Sequence, residues 1–369
     1  MKKIDTLSKT SRSNFVTYGI TVAIFLFCFI YISTGMASNL FQGLMVPICS
    51  YVIMAISLNL TVGILGELSL GHAGFMAVGA FVGSIFSLTT EATLTSAWIR
   101  FPMAILVAGI AAALVGVLVG IPVLRLRGDY LAIVTLAFGE IIKNLLGNMY
   151  LVTDANGLHF ALSAEAFNAM ELDESTKNVL VNGAMGITGT PSDSNYIIGF
   201  VLILITMIAV LNLINSRTGR AIMAIRDNRI AAESIGINIT KYKLVAFTIS
   251  AFFAGIAGAL YSHNLASVVA TKFDYNLSIL ILVFVVLGGM GSMRGSMIAA
   301  IVLTALPEIF RELNDYRMLF YAIILILMML AKNNETLAQY IDRYMEKTKN
   351  WFRSFTSRIS MGQKKGGAN

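Results

Sequence analysis

A carboxylate and an imidazole lie within one of the most apolar stretches of this chain, LTVGILGELSLGHAGFMAVGAF at residues 60–81. Ionisable groups are costly at the depth of a membrane, so Glu67 and His72 indicate a polar path or a charged partner. The stretch also has a glycine every few residues, and an apolar helix can break at glycines where its backbone is buried in protein or lines a wet cavity. We therefore predict a segment that lines or gates a path, and we assign to it Gly66, Glu67, Ser69, Gly71 and His72.

Two other interpretations of this segment stay open. Small residues let two helices approach closely, so the glycines could serve packing alone. The segment could also be a turn at the cytoplasmic end of two helices rather than a re-entrant piece of chain. In that case Glu67 and His72 are simply solvated.

Two further features fall in apolar segments. Glu140 and Lys143 are three residues apart in LAFGEIIKN, which places them on one helix face, either as an ion pair or as a polar lining of the path. The run GGMGSMRG begins at Gly288 and resembles a phosphate-binding loop in composition, but no soluble strand precedes it, which favours a helix break. We assign Glu140, Gly288, Gly289 and Gly291 to the path or its gate.

A long basic segment, residues 216–243, separates two apolar runs. Ile222, Ile225 and the run from Ala232 to Ile235 are interspersed with charged residues, and Gly236 follows them. This pattern predicts one or two short amphipathic helices that end at a glycine, with a surface for a partner. A solvated loop is the alternative, since alternating charge alone is weak evidence.

The sequence lacks the residue combinations that catalysis or metal binding would need. The three histidines are far apart, Cys28 and Cys49 have no metal-ligand spacing, and no Walker A motif, GxxxxGKS/T, occurs. No nucleophile stands beside a candidate base. The sequence therefore predicts a protein that is not an enzyme and has no catalytic residue, metal or cofactor of its own.

The elements that must carry these residues are membrane-spanning helices. Hydrophobic residues make up 57% of the 369 residues and charged residues 13%, proportions that a water-soluble domain would not tolerate on its surface. Apolar runs near the ~20 residues that cross a bilayer recur along the chain. They predict an all-α polytopic bundle of ten spans, at residues 15–33, 44–65, 73–89, 102–122, 130–150, 196–214, 244–264, 276–290, 295–310 and 318–331.

Lysine and arginine in short connections mark the cytoplasmic side of a membrane protein. This rule predicts cytoplasmic termini and the following organisation: an N-terminal segment 1–14, a transmembrane domain 15–331 with an acidic external loop 151–195 and a cytoplasmic loop 216–243, and a basic tail 332–369. The external loop could hold a short amphipathic helix. The net charge of +7 then reflects topology rather than nucleic-acid binding, and the aromatic and basic residues of the tail suit an anionic lipid surface.

Four segments become recognisable when they are taken together. They are GELSLGHAGFMAVGAF, LRLRGDYLAIVTLAFGEII, GRAIMAIRDNRIAAESIGINITKYKLVAFTISAFFAGIAGALYS and VVLGGMGSMRGSMIAAIVLTALPEIFRE. In type and order they resemble the signature segments of the branched-chain amino acid ABC transporter permeases, of the M type of the high-affinity Liv system. The resemblance covers residues 45–335 and leaves the external loop and the tail uncovered.

This resemblance implies a subunit of a bacterial inner-membrane importer for leucine, isoleucine and valine. Its partners would be a second related permease, two cytoplasmic ATPase subunits that bind ATP, and an extracytoplasmic substrate-binding protein. The segment around AAESIG would be a coupling helix docked on an ATPase, which gives that role to Ile225, Arg226, Asp227, Ala232, Glu233 and Gly236. Related permeases carry urea, sugars or nucleosides, so another small solute is the alternative, and an ion-coupled secondary transporter is a more distant one.

Overall fold

A computed structural model of the chain describes residues 9–34, 39–91, 93–126, 128–154, 157–169 and 178–310, with scattered residues between 316 and 330. Contacts within the chain divide it into two compact units, Met1–Ala305 and Leu306–Asn369. The site described below lies within the first unit.

The described part of this unit is dominated by helices, with short strands in two of the connections between them. The helices are α1 (Lys9–Ser33), α2 (Asn39–Asn59), α3 (His72–Thr90), α4 (Ala97–Val123), α5 (Asp129–Gly147), α6 (Ala164–Asn168), α7 (Tyr196–Asn215), α8 (Arg217–Asp227), α9 (Arg229–Ser234), α10 (Ile239–Ser262), α11 (Tyr275–Gly288) and α12 (Met293–Ile309). The strands are β1 (Tyr150–Asp154), β2 (Gly157–Ala161), β3 (Asn178–Asn182), β4 (Ile187–Thr188) and β5 (Ser267–Val268). A π-helical turn, Leu60–Leu65, prolongs α2, and single 3₁₀ turns lie at Gly183–Met185 and Ala270–Lys272.

The prediction of an all-α polytopic bundle is confirmed. Among the described residues, seven helices are long and apolar enough to cross a membrane: α2 with its π-helical turn, α3, α4, α5, α7, α10 and α11 with the 3₁₀ turn before it. The count of ten spans stays a prediction. The apolar part of α1, Thr17–Ser33, and all of α12 have 17 residues each, and the predicted span 318–331 falls largely outside the described residues.

The centre of the bundle is formed by α3, α4 and α10, which pack through small residues. Gly79 of α3 faces Gly255 of α10 so closely that a Cβ on Gly79 would overlap the Gly255 backbone. Gly258, one turn further along α10, lies against the Met76 carbonyl in the same way. Because lipid tails are as apolar as the helices, close van der Waals packing of this kind replaces the hydrophobic effect as the attraction between spans.

Successive spans alternate in direction, so their connections gather at two ends of the bundle. We call one the basic end; it comprises the connections 66–71, 124–128, 216–238 and 289–292. Contacts between these connections and the neighbouring helix ends confirm the grouping: Gly291 bonds to Asn59, and Gly120 packs against Leu244. We call the other the acidic end; it comprises the connections 148–195 and 263–274, which are joined by the pairing of β4 with β5.

The acidic end contains β structure that the sequence analysis did not predict. Strands β1, β2 and β3 form an antiparallel sheet in the order β2-β1-β3. The amphipathic helix was predicted from residues 163–181, and among the described residues of that segment α6 is helical over five residues. Residues 178–181, which the prediction included in that helix, belong to β3 instead. Its sequence NVLVN alternates polar and branched apolar residues, a pattern that favours a half-buried strand over a helix.

Candidate functional site

The helix break predicted between residues 60 and 81 lies at the basic end. The π-helical turn after α2 ends at Leu65, and the next residue, Gly66, has a φ of 81°. The amides of Gly66 and Glu67 both donate to the Thr61 carbonyl. Only glycine adopts such a φ without strain, so the chain can leave the helix at this point. The turn is wholly buried, and residues 66–71 then connect it to α3.

The second glycine run lies against this break. The amide of Gly291 donates to Asn59 Oδ1 at 2.8 Å, and the Gly291 backbone approaches Gly63 so closely that no Cβ would fit on Gly63. Gly288 and Gly295 pack against each other where α11 turns into α12. Gly289 and Gly291 have φ values of 100° and 81°. The interpretation of GGMGSMRG as a helix break is therefore confirmed, and the two glycine breaks meet at Gly63 and Gly291.

Helix α8 also reaches the first break. Arg226 Nη1 donates to the Gly63 carbonyl at 3.2 Å, while its Nη2 pairs with the neighbouring Asp227 at 2.9 Å. A Cβ on Gly66 would lie 2.7 Å from Arg226 Cγ. The arginine thus lies across the end of the π-helical turn, where carbonyls are left without helical partners.

A long-range ion pair joins the break to α10. Glu67 pairs with Lys243 Nζ, and the side chains of Glu67 and Lys243 are 18% and 3% exposed. Glu67 follows the C-terminal end of α2 and its π-helical turn, and Lys243 lies near the N-terminal end of α10. Each charge is thus at the helix end where the helix dipole disfavours it, and the pairing offsets that cost.

His72 and Ser69 are buried beside the break. His72 Nε2 lies 2.7 Å from Ser57 Oγ, which in turn donates to the Ser250 carbonyl at 2.7 Å. The imidazole therefore joins α2, α3 and α10 within the bundle. Ser69 is 1% exposed, and its hydroxyl has no hydrogen-bond partner among the described residues.

Gly71 and Glu140 hold neighbouring helices together. A Cβ on Gly71 would overlap the Thr135 carbonyl of α5, the close packing that the alternative interpretation of these glycines expects. Glu140 pairs with Lys143 on the same helix and accepts a hydrogen bond from the Tyr275 amide at 3.1 Å. Its carboxylate thereby satisfies an amide at the start of α11.

The segment 216–238 forms the two short helices that the sequence predicts, α8 and α9, and Gly236 follows them with a φ of 82°. The side chains of Ser216, Asn228 and Asn238 accept hydrogen bonds from the first turns of α8, α9 and α10, so each helix start has its own cap.

The same segment has a buried and an exposed side. Ile225 and Ala232 pack with Ile239 in a small core, so these two predicted coupling residues face inward. The exposed residues of α9 and its end are Ile230, Ala231, Glu233, Ser234, Ile235 and Gly236. Ile230 and Ile235 are 81% and 74% exposed. Ile230 was not singled out from the sequence, and Ile235 was taken as part of the apolar run, although two large exposed apolar side chains on a short polar helix suggest a contact surface.

Asn59 and Lys243 are the other two residues that sequence reasoning missed. Asn59 lies within an apolar helix just before the first break, and a buried amide there was a usable signal. Lys243 gave no signal of its own, because it stands in a basic segment among other cations. Among the described residues no group of three or more potential metal ligands occurs.

The polar contacts at the basic end thus join two helix breaks to an amphipathic connection. The family described as "Branched-chain amino acid transport system / permease component" matches residues 40–331, which include all of these elements. This chain belongs to that family. Its members are transport permeases and not enzymes, so the predictions of a multi-pass membrane permease that is not an enzyme are confirmed.

Named relatives of the permease agree with this assignment. The high-affinity branched-chain amino acid transport system permease protein LivM of Salmonella typhimurium is 38% identical over 287 residues, which cover 76% of this chain and 66% of that protein. The probable LivM of Methanocaldococcus jannaschii is 24% identical over 66% of this chain and 74% of its own length. The ribose import permease protein RbsC of Haemophilus influenzae is 30% identical over 31% of this chain and 38% of its own length.

The match to the first of these relatives spans just under two thirds of that protein's length. No solved structure matches the permease.

Proposed function

We propose that this chain is a membrane-spanning subunit of an ATP-driven importer that carries leucine, isoleucine and valine across the bacterial cytoplasmic membrane. The observation that carries the proposal is the 38% identity over 287 residues to a permease named for branched-chain amino acids. The matched family region also includes both glycine breaks and helices α8 and α9.

The partners are a second related permease, two ATPase subunits on the cytoplasmic side and a substrate-binding protein on the other side. The sequence has no Walker A motif, which supports a division of labour in which other subunits bind ATP. Helix α5 provides the argument for a second permease as partner. Its residues Glu140 and Lys143 are only partly buried although they lie in a membrane span. Polar groups on such a face need a protein neighbour or a water-filled cavity rather than lipid.

The basic end faces the cytoplasm and α9 docks on an ATPase. The excess of lysine and arginine in the connections 124–128 and 216–238 supports this orientation, with cytoplasmic termini. The docking surface consists of Ile230, Glu233, Ile235 and Gly236, because these residues are exposed. Ile225 and Ala232 contribute by holding the segment together, and Arg226 and Asp227 lie on its side nearest the helix break.

The gate is the place where the two glycine breaks meet. Gly66, Glu67, Gly289 and Gly291 lie at or beside this meeting point, and positive φ values at the three glycines allow the backbone to turn. Gly71, His72, Glu140 and Gly288 fix the surrounding helices, and Ser69 is buried beside them. Broken helices of this kind provide hinge points and polar backbone in transporters.

Solute uptake by the reconstituted complex tests the proposed function. Proteoliposomes that contain the permease and its partners should accumulate labelled leucine, isoleucine and valine. They should do so only when ATP is present on the side of the membrane where the ATPase subunits lie. Urea, ribose and a nucleoside serve as alternative solutes. If one of these is taken up with ATP and the three amino acids are not, the proposed substrate class is wrong. Uptake without ATP would overturn the ATP-driven mechanism.

Charge reversal on α9 tests the docking surface. Glu233→Lys should leave membrane insertion intact, since the side chain is exposed outside the spans, but it should reduce co-purification of the ATPase or leucine uptake. Lys241→Glu is the control, because Lys241 is also exposed at the same end and lies outside α9. An intact complex with normal uptake in Glu233→Lys would contradict docking through this surface.

A further inference from the structure

Arg226 is the one described side chain of α8 for which a hydrogen bond to the π-helical turn is found. Its Nη1 donates to the Gly63 carbonyl at 3.2 Å, across 163 residues of sequence. The other arginine of α8 with a described hydrogen bond, Arg220, donates to the Asn215 carbonyl at the end of the preceding helix, α7, at 3.0 Å. The two arginines thus differ, since only Arg226 bonds to an element that is distant in the sequence.

The Gly63 carbonyl lies near the end of the π-helical turn, where a hydrogen-bond donor from another element can bind it. The π-helical turn ends two residues later at Leu65, and the last carbonyls of a helix have no partner within it. Gly63 is also the residue whose backbone touches Gly291 of the second break. A donor to this carbonyl therefore acts on both glycine breaks.

Helix α8 is a short helix that is joined almost directly to α9. It has its own cap at Ser216, and Ile222 and Ile225 anchor its apolar side, while a single residue, Asn228, separates it from α9. A force applied to the exposed face of α9 therefore reaches α8 over a short distance. Gly66 has no side chain to block Arg226, whose Cγ occupies the space next to it.

We infer that Arg226 transmits movement of helices α8 and α9 to the gate, through its hydrogen bond to the Gly63 carbonyl. The inference rests on the proposed function, because it takes α9 as the ATPase contact. Arg226 is a positioning residue that touches neither ATP nor solute. It links ATP hydrolysis to the movement of the two glycine breaks without contributing to docking itself.

Two readouts on the assembled complex test this role. The first is leucine uptake per ATP hydrolysed, in proteoliposomes, for the unmodified permease and for Arg226→Ala, Arg226→Lys and Arg220→Ala. The second is the rate at which a maleimide labels Met290→Cys, with and without a non-hydrolysable ATP analogue. Met290 is 64% exposed in the second break, so its labelling reports the state of the gate without any solute.

Arg226→Ala should retain ATPase co-purification and ATP hydrolysis, while uptake per ATP falls by about tenfold, within the range of typical coupling free energies. The nucleotide-dependent change in Met290→Cys labelling should also disappear. Arg226→Lys, which keeps a charged donor near the carbonyl, should retain more coupling than Arg226→Ala, and Arg220→Ala should behave like the unmodified complex.

Unchanged uptake per ATP in Arg226→Ala would overturn the inference. Loss of ATPase co-purification in Arg226→Ala would also overturn it, because Arg226 would then be part of the docking surface. Failure of the proposed function has a different signature: the unmodified complex would take up no leucine. The labelling of Met290→Cys would still test the link in that case.

Discussion

Glu67 and Glu140 are both carboxylates in strongly apolar sequence, and both pair with a lysine. One pair lies within a single helix, whereas the other joins two separate elements. Glu140 pairs with Lys143 one turn along the same helix. Glu67 pairs with Lys243, which is 176 residues away and belongs to α10, the helix that follows α8 and α9. The first pair stabilises one helix face, whereas the second fixes a connection against another element.

The difference shows where a charge in a membrane span has consequences beyond its own helix. Lys243 is almost completely buried, so its charge depends on Glu67 for compensation. Glu140 and Lys143 are each more exposed, and Glu140 has a second role as acceptor for the Tyr275 amide. Substitutions in the two pairs should therefore differ in both size and kind.

The largest effect is expected for Lys243→Ala. Removing the lysine leaves Glu67 in a mostly buried position without its cation, which should cost about 3 kcal/mol of stability, the lower part of the range for a broken buried pair. Leucine uptake should fall as well, because the break loses its attachment to α10. Thermal unfolding of the purified complex measures the first effect and proteoliposome uptake the second. Unchanged stability would mean that the pair does not hold the break.

A smaller effect is expected for Glu140→Ala. The Tyr275 amide loses its acceptor at the start of α11, which should cost about 1 kcal/mol. Glu140→Gln is the matched control, since its amide oxygen can still accept that hydrogen bond. Thermal unfolding should separate the two variants, and equal stability for both would show that the Tyr275 contact contributes nothing.

The smallest effect is expected for Lys143→Ala. A pair spaced three residues apart on a partly exposed helix face contributes only about 0.5 kcal/mol. Uptake should stay close to that of the unmodified permease. A loss of uptake as large as that of Lys243→Ala would remove the distinction between the two pairs and would favour a path-lining role for α5.

Sequence patterns of short range predicted much of this molecule. Hydropathy located the long helices, and the spacing of Ile222, Ile225 and the run from Ala232 to Ile235, followed by Gly236, located α8 and α9. The spacing of Glu140 and Lys143 predicted that they share a helix face, because three residues along a helix bring two side chains together, and the ion pair was one of the two interpretations. Each of these features depends on residues that are neighbours in the sequence.

Contacts between distant residues were beyond sequence reasoning. Nothing in the sequence indicates that Glu67 meets Lys243, or that Gly63 meets Gly291, since each contact depends on how several helices pack. The β strands of the acidic end were missed for a related reason. Short strands are defined by their partners, and β3 pairs with β1 across the loop, so the local pattern of residues 163–181 was taken for a helix.

The most direct test of the account is exchange of the two charges at the break. We predict that Glu67→Lys and Lys243→Glu each reduce ATP-dependent leucine uptake by about tenfold, because like charges then meet in a buried site. The double variant should recover most of the uptake, since it restores the pair and puts each charge at the helix end that the dipole favours. ATPase co-purification from each variant controls for assembly. A double variant no better than either single one, or single variants with full uptake, would contradict the claim that this pair holds the gate to the bundle.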